Sequence, residues 1–485
     1  MMNREDYVKQ IPDYQYMRET VKKDENRLHF HLMPPTGWMN DPNGLCEFQG
    51  INHIYFQYTP FLAGWGTKLW GHYTTTDWIH FRECEPFLFP DCDLDRDGVY
   101  SGSAFVDGDK IHYFYTGNVK LQDKDYDYIL EGREQNTIHL VSEDGVHAGE
   151  KQLVMTNADY PADMSKHVRD PKIFAKNGRY YMVQGARDCE SKGCVLLFES
   201  EDLMTWKYFD RIVPEEKFGY MWECPDLFEV DGQEILIACP QGVPKSGHDY
   251  QNVYQCGYFP IEMDFENKKY KLGEFHELDK GFDIYATQTF LDENGRRILI
   301  GWMGIPDADY DNDATVEYDW IHALTMPRVL TYQDGKLIQK PLEELKSLRK
   351  NKMVTSITSF GEWTTIDCCF ELSVKRDDEN AAMILGLRDD VTLTYKDHIL
   401  KLELGKSGHG RKQRTVQLNS LKNMTVYSDT SAIEIFINDG EEVMTTRVYS
   451  EKLNQKVRFL QSETDGEIEV YNLGSFVMEL SLIHI

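Results

Sequence analysis

YTTTDWIHFRE (residues 73–83) reads as a strand, a Thr-Asp turn and a second strand, and the pattern returns in LVSEDGVHAGE (140–150) and LFESEDLMTWKYF (197–209). Ser, Thr and Asp side chains bond nearby backbone groups and so build turns. A unit that recurs every 40 to 70 residues or so, made of sheet strands, predicts a β-propeller, in which each blade buries its faces against its neighbours. The intervening sequence agrees. HIYFQY (53–58), KIHYFYTG (110–117), RYYMVQG (179–185), EILIACP (234–240) and RILIGWMG (297–304) are short runs rich in Tyr, Phe, Ile and Val, bounded by Gly, Asp and Asn. Helical periodicity is scarce over residues 28–335. The spacing of the repeats is irregular, so a sandwich or large barrel stands as the competing architecture.

PLEELKSLRK (341–350) is the clearest helical stretch after the N-terminal one, with Leu342, Leu345 and Leu348 on a three-residue stride. Beyond it, TTIDCCFELSVKR, DVTLTYKDHILKLELG, AIEIFIND and EVMTTRVYS alternate at period two, as half-buried strands of an antiparallel sandwich do. The chain is therefore expected to be all-β: a partly helical extension over 1–27, a propeller over 28–337, a linker helix over 338–352 and a β-sandwich over 353–485. GKSGHGRK (405–412) lacks the Walker spacing and lies between two strand patterns, which makes it a basic hairpin turn.

The 485 residues carry 81 Asp and Glu against 52 Lys and Arg, a formal net charge of −29. Such a field repels polyanions, so nucleic acid and anionic membrane surfaces are not expected as partners. No run of 18 apolar residues exists to span a bilayer. MMNREDYVKQIPDYQYMRET lacks an apolar signal core, so a cytoplasmic location is expected. The ten cysteines form no CxxC pair, there is no HExxH, and Cys84 and Cys92 sit among acids without a matching His pattern. Neither a metal nor a cofactor is expected.

Three acids stand in settings that restrict or desolvate them: Asp41 in GWMNDPNG (37–44), Asp170 in HVRDPK (167–172) and Glu223 in GYMWECPD (219–226). GWMNDPNG is too rich in turn residues to continue a helix or a strand, so Asp41 is expected in a tight turn. Arg169 beside Asp170 favours its ionised form, and Trp222, Cys224 and Pro225 give Glu223 an apolar setting that raises a carboxyl pKa. Glycoside cleavage needs one carboxyl to protonate the leaving oxygen and one carboxylate to attack or support the sugar cation. Taken singly, an acid in such a setting is more often a turn residue or a surface salt-bridge partner.

These three segments, in this order, resemble the signature motifs of glycoside hydrolase family 32, the invertase and fructan hydrolase family. IYFQYTPF (54–61), LWGHYTTTDWIHF (69–81), YSGSA (100–104), GFDIYATQTF (281–290) and RILIGWMG (297–304) resemble further family motifs, and AIEIFINDGEEVMTTRVY (432–449) resembles its sandwich domain. The resemblance implies a five-bladed β-propeller followed by a β-sandwich, with the active site in the central funnel. It implies Asp41 as nucleophile, Glu223 as acid and base, Asp170 as an ionised group on the sugar hydroxyls, and retention of configuration. By motif, Trp38, Asn40, Gln57, Trp65, Tyr100, Ser101, Arg169 and Trp302 would line the fructose site, with a small sugar as partner. The intracellular start and the WECPD and YQCGYF segments most resemble bacterial sucrose-6-phosphate hydrolases. Two departures stand out: Thr59 where the family has Asn, and Gly66-Thr67-Lys68-Leu69 where it commonly has Gly-Pro-Met-His. Lys68 is expected as a rim cation, suited to phosphate or simply solvated. An inverting five-bladed arabinan or xylan hydrolase, a fructosyl transferase and a non-catalytic sugar binder are the rival readings.

Overall fold

The computed structural model describes residues 1–357, 361–365, 367–388, 390–450 and 456–480. Five antiparallel sheets follow one another along the chain, each a meander that runs from an inner to an outer strand. Blade 1 begins with Gly37–Phe48, blade 2 with Val99–Asp107, blade 3 with Met164–Lys176, blade 4 with Met221–Val230 and blade 5 with Tyr285–Leu291. The ring closes where Trp320–Ile321, from the blade 5 segment, pairs in parallel with Gly37 and Trp38 of blade 1.

The recurring Ser/Thr-x-Asp element is the corner between the third and fourth strands of blades 1, 2 and 3. Thr75, Ser142 and Ser200 each accept, through the hydroxyl, the backbone N–H three residues on, at 2.9, 2.9 and 3.0 Å. Asp77, Asp144 and Asp202 each accept two further N–H groups. The corner residues Trp78, Gly145 and Leu203 all take positive φ, between 62° and 71°, which the side-chain bonds hold in place. The same chemistry thus turns three blades.

A second repeat was not legible. Each inner strand breaks register with its neighbour at a corresponding place, between Met39 and Pro42, Val99 and Gly102, Arg169 and Lys172, Glu223 and Asp226, and Tyr285 and Gln288, and those of blades 1 and 3 break a second time. The residues in the gap include Asp41, Tyr100 with Ser101, Asp170, Cys224 and Ala286. Asp170, Cys224 and Ala286 have φ of 62°, 48° and 47°. A bulge frees residues from the ladder and re-aims their side chains, and it tolerates the proline that a regular ladder rejects. Pro171 and Pro225 sit in two of these gaps and Pro42 borders a third. GWMNDPNG is accordingly part of a twelve-residue strand and not the tight turn expected of it.

The expected linker helix is shorter and tighter. Lys336–Pro341 is the outer strand of blade 5, and Glu343–Leu348 is a 3₁₀ helix followed at once by a strand, Arg349–Ser356. Three residues per turn put Leu342, Leu345 and Leu348 on one face, and all three are buried. The stride of three was the 3₁₀ signature itself.

The C-terminal unit packs two six-stranded sheets around a core of Leu, Val, Ile and Met side chains. Residues 405–412 join two antiparallel strands, Ile399–Leu404 and Gln413–Gln417, as a hairpin. Their Arg411 is fully buried and grips Asp283 of the propeller with two bonds of 2.7 Å. The final described strand, Val477–Leu480, leaves the sandwich and pairs in parallel with His80–Glu83, the outer strand of blade 1. At the other end, two short helices, Arg4–Lys9 and Ile11–Val21, bury Tyr7 and Tyr14, and Tyr14 and Arg18 both bond Glu83 of that strand.

Candidate active site

Asp41 and Asp170 come from the bulges of blades 1 and 3 and Glu223 borders that of blade 4, and those bulges bring them together. The Cys224 thiol lies 3.9 Å from Asp41 Oδ2 and 3.8 Å from Asp170 Oδ2, while the Cys224 backbone N–H donates to Asp170 at 3.0 Å. Arg169 ties in the third acid. Its guanidinium donates through Nε and Nη2 to Glu223 Oε1, and its Nε stands 4.0 Å from Asp170 Oδ2.

Asp41 is fixed by two donors, Ser101 Oγ at 2.6 Å on Oδ2 and Asn40 Nδ2 at 2.9 Å on Oδ1. Asn40 is in turn oriented by Trp38 Nε1 at 2.7 Å. Burial raises the Asp41 pKa, the Ser101 and Asn40 bonds hold it down, and Glu223 pushes it up again. Asp170 is moved further, up to about 7, by burial first; Arg169 opposes the shift and Glu223 and Asp41 add to it. Asp170, the most buried of the three, is therefore the carboxyl that this crowding disposes to keep a proton.

Arg169 favours the ionised form of Asp170 through charge alone, 4.0 Å away, while its hydrogen bonds go to Glu223 and His167, because side chains on adjacent strand positions diverge and the arginine reaches across to blade 4. One local expectation is corrected. Glu223 is in a polar setting: besides Arg169 it accepts Gln241 Nε2 at 2.7 Å and Tyr285 Oη at 2.6 Å. Its neighbour Trp222 points the other way, fully buried against Phe259. Gln241, Tyr285 and Cys224 escaped the sequence reading; Gln241 and Tyr285 reach Glu223 through strand register, which no local pattern announces.

Of the expected sugar-contacting residues, Trp38, Asn40, Ser101 and Arg169 stand around the carboxylates. Tyr100 is in the blade 2 bulge, and burial raises its hydroxyl pKa. Gln57 bonds the Val99 carbonyl at 3.0 Å, bridging blades 1 and 2. Trp65 is 66% exposed and meets Trp38 edge-on at 6.1 Å. Trp302 is core: 3% exposed, it lies behind Trp38 and Tyr285.

Lys68 is not a rim cation. Its side chain is buried, with Nζ 4.6 Å from the Trp38 ring, 4.7 Å from the Trp65 ring and 3.2 Å from Thr59 Oγ1. The two departures from the family pattern, Thr59 and Lys68, therefore meet each other. Burial lowers the Lys68 pKa to about 7 against the pull of Asp41.

Among the described residues one grouping has metal-ligand chemistry, Asp91, Cys92 and Asp95, and the Lys151 ammonium binds both aspartates at 2.5 and 2.7 Å. No helix among the described residues is long and apolar enough to cross a membrane.

A propeller with acids converging on its axis, one held by an arginine, is the equipment of a glycoside hydrolase. The chain matches the glycosyl hydrolases family 32 N-terminal domain over residues 31–341 and the family 32 C-terminal domain over 344–474, and it belongs to that family. It is 40% identical to sucrose-6-phosphate hydrolase of Bacillus subtilis (strain 168) over 450 residues, 90% of this chain and 92% of that one. A Staphylococcus xylosus sucrose-6-phosphate hydrolase is 37% identical over 458 residues, 90% of each. Among solved structures, sucrose-6-phosphate hydrolase from Lactobacillus gasseri superposes with a TM-score of 0.86 at 29% identity, covering 98% of this chain and all of that one. A mutant β-fructofuranosidase of Bombyx mori in complex with sucrose gives 0.81 at 28%, covering 98% and 100%.

Proposed function

We propose that this chain is a retaining β-fructofuranosidase that hydrolyses sucrose or sucrose-6-phosphate through a covalent fructosyl-Asp41 intermediate. The observation that carries the reading is the convergence of Asp41 and Asp170 on Cys224, with Glu223 joined to them by Arg169. The Ser101 and Asn40 bonds fix the plane of the Asp41 carboxylate, which attacks the anomeric carbon of the fructosyl unit. Glu223 gives its proton to the departing glycosidic oxygen and then takes one from the water that releases fructose.

The proton for that step is already held by the carboxyl cluster. A fructosyl unit whose hydroxyls donate to Asp170 favours its ionised form. Arg169, 4.0 Å away, then serves Asp170, and the proton settles on Glu223 beside the leaving oxygen. The active free enzyme is the form that keeps this proton, so kcat/KM falls as pH rises through the neutral range in which Asp170 titrates.

The test is the initial rate on both sugars, with Asp41→Asn and Glu223→Gln beside the wild type. Each variant is expected to stay folded and to lose roughly 10³-fold or more in kcat, the scale of losing a nucleophile or acid-base group. NMR of the first product formed reports the anomer, and inversion, or near-native rates in either variant, would sink the reading.

A further inference from the structure

Near Arg169, blades 2 and 3 hold positive charge that the chemistry above does not use. Arg133 begins the third strand of blade 2, and Arg187 lies near the end of the second strand of blade 3. Neither forms an ion pair among the described residues, and the Nε–H of each is buried without a hydrogen-bond partner. They lie close to the catalytic arginine. His167 Nδ1 accepts Arg169 Nη1 at 2.7 Å, and its pKa is forced down to about 2 by burial and then by Arg169, Arg133 and Arg187 together. Arg187 stacks over the Tyr220 ring at 5.0 Å, three residues before Glu223, and donates to Ser191 at 2.8 Å. Lys120, the strand partner of Arg133, adds a further cation.

The acids nearby act on them only at a distance. Asp127 lies within electrostatic range of Arg187, but its Oδ1 is taken by the N–H groups of Ile129, Leu130 and Glu131. Asp97 Oδ2 accepts the Lys120 backbone N–H at 2.7 Å. In a chain of net charge −29, half-burying guanidinium groups without an ion-pair partner near a catalytic acid is costly unless an anion completes them.

We infer that Arg133 and Arg187 form the subsite that reads a phosphate monoester on the departing sugar, and so set the preference for phosphorylated over plain disaccharide. The inference rests on the proposed fructosidase reading, because it is Glu223 as acid, bonded to Arg169, that places the leaving group near these arginines. Arginine suits this role because its planar fork binds phosphate oxygens in pairs and stays charged at any working pH. Lys68 is excluded as the reader, since its ammonium is enclosed by Trp38, Trp65 and Thr59.

The experiment measures kcat/KM for sucrose-6-phosphate and sucrose in the wild type, Arg133→Gln and Arg187→Gln, with thermal melts to confirm folding. The wild type is expected to favour the phosphorylated sugar by about tenfold or more, each variant to cut that ratio roughly tenfold, the scale of one lost charge-assisted bidentate contact, and the rate on sucrose to change little. Inhibition by glucose 6-phosphate should weaken in parallel while inhibition by glucose does not. A wild type indifferent to phosphate, or variants that lose both substrates in proportion, would overturn the subsite. Hydrolysis of neither sugar by the wild type would instead overturn the fructosidase reading beneath it. A variant that unfolds is replaced by Arg133→Lys or Arg187→Lys, for which a partial loss confined to the phosphorylated sugar is expected; an unchanged ratio there also overturns the subsite.

Discussion

Lys68 holds a charge that burial makes costly. Its ammonium has two indole faces and one hydroxyl for company, and burial brings its pKa from the ordinary 10.5 to about 7. The folded protein thus binds fewer protons here than the unfolded chain between those two values. The penalty on stability is full below pH 7 and is relieved as pH rises toward 10.5. Lys68→Met is expected to raise the melting temperature, most at about pH 6 and little at about pH 10. Melts across that range check it, and a gain that does not shrink with pH would show that the ammonium is not the source. None of this was legible from Lys68's neighbours in sequence. The three carboxylates were legible because each interrupts a strand pattern beside or near a proline; their surroundings were not. Strand alternation sends Trp222 away from Glu223, and the groups that hold Glu223 come from Arg169, Gln241 and Tyr285.

At the scale of the element, the inner strands do two jobs that conflict. They supply ladders for the blades and yet must turn selected side chains toward the axis, and the register break in each of the five inner strands reconciles the two. Blade 2 shows how tight the solution is. A Cβ on Gly102 would lie 2.1 Å from the Phe114 carbonyl oxygen and 2.4 Å from Tyr115 Cα, both backbone atoms that cannot yield. Gly102→Ala is therefore expected to cost about 1–3 kcal/mol or more and to displace Ser101, whose hydroxyl holds Asp41. Chemical denaturation measures the first effect. For the second, kcat should fall further than in Ser101→Ala, since the whole bulge shifts; a Gly102→Ala enzyme with native stability and rate would show that the bulge is not under this constraint. The strands themselves were readable from period and aromatic content, and the blade corners from Ser/Thr-x-Asp. The bulges were hidden because a strand that breaks register is spelled with turn residues, which is how GWMNDPNG came to look like a turn.

Across the whole molecule, the sandwich is fastened to the propeller by buried charge. Arg328 of blade 5 donates to Glu434 at 2.6 Å and to Asp279 at 3.2 Å, and His31 bridges Asp429 at 2.8 Å and Glu434 at 3.0 Å. Positions 31 and 429 lie 398 residues apart in sequence, and so the network is legible only in the fold. Burial alone would lower the His31 pKa, but the hydrogen bonds to Asp429 and Glu434 overcome it and raise the value from 6.5 to about 8. A histidine whose pKa is higher folded than unfolded contributes stability that is complete below pH 6.5 and is lost as pH rises through 8. The shift is worth about 2 kcal/mol, at about 1.4 kcal/mol per unit. Asp429, held well below the ordinary carboxylate value against burial by His31, adds the opposite limb: its contribution is present above that ordinary value and fades in acid. The interface should therefore be firmest in mildly acidic to neutral solution, the range in which the carboxyl cluster also keeps its catalytic proton. The advantage of the wild type over His31→Gln, which keeps a hydrogen-bonding side chain but never a charge, is expected to be largest at about pH 6 and to shrink by about pH 9, read as the difference between the two melting temperatures at each pH so that the opposing Lys68 contribution common to both cancels. A difference that does not change with pH would show that the interface histidine is neutral throughout.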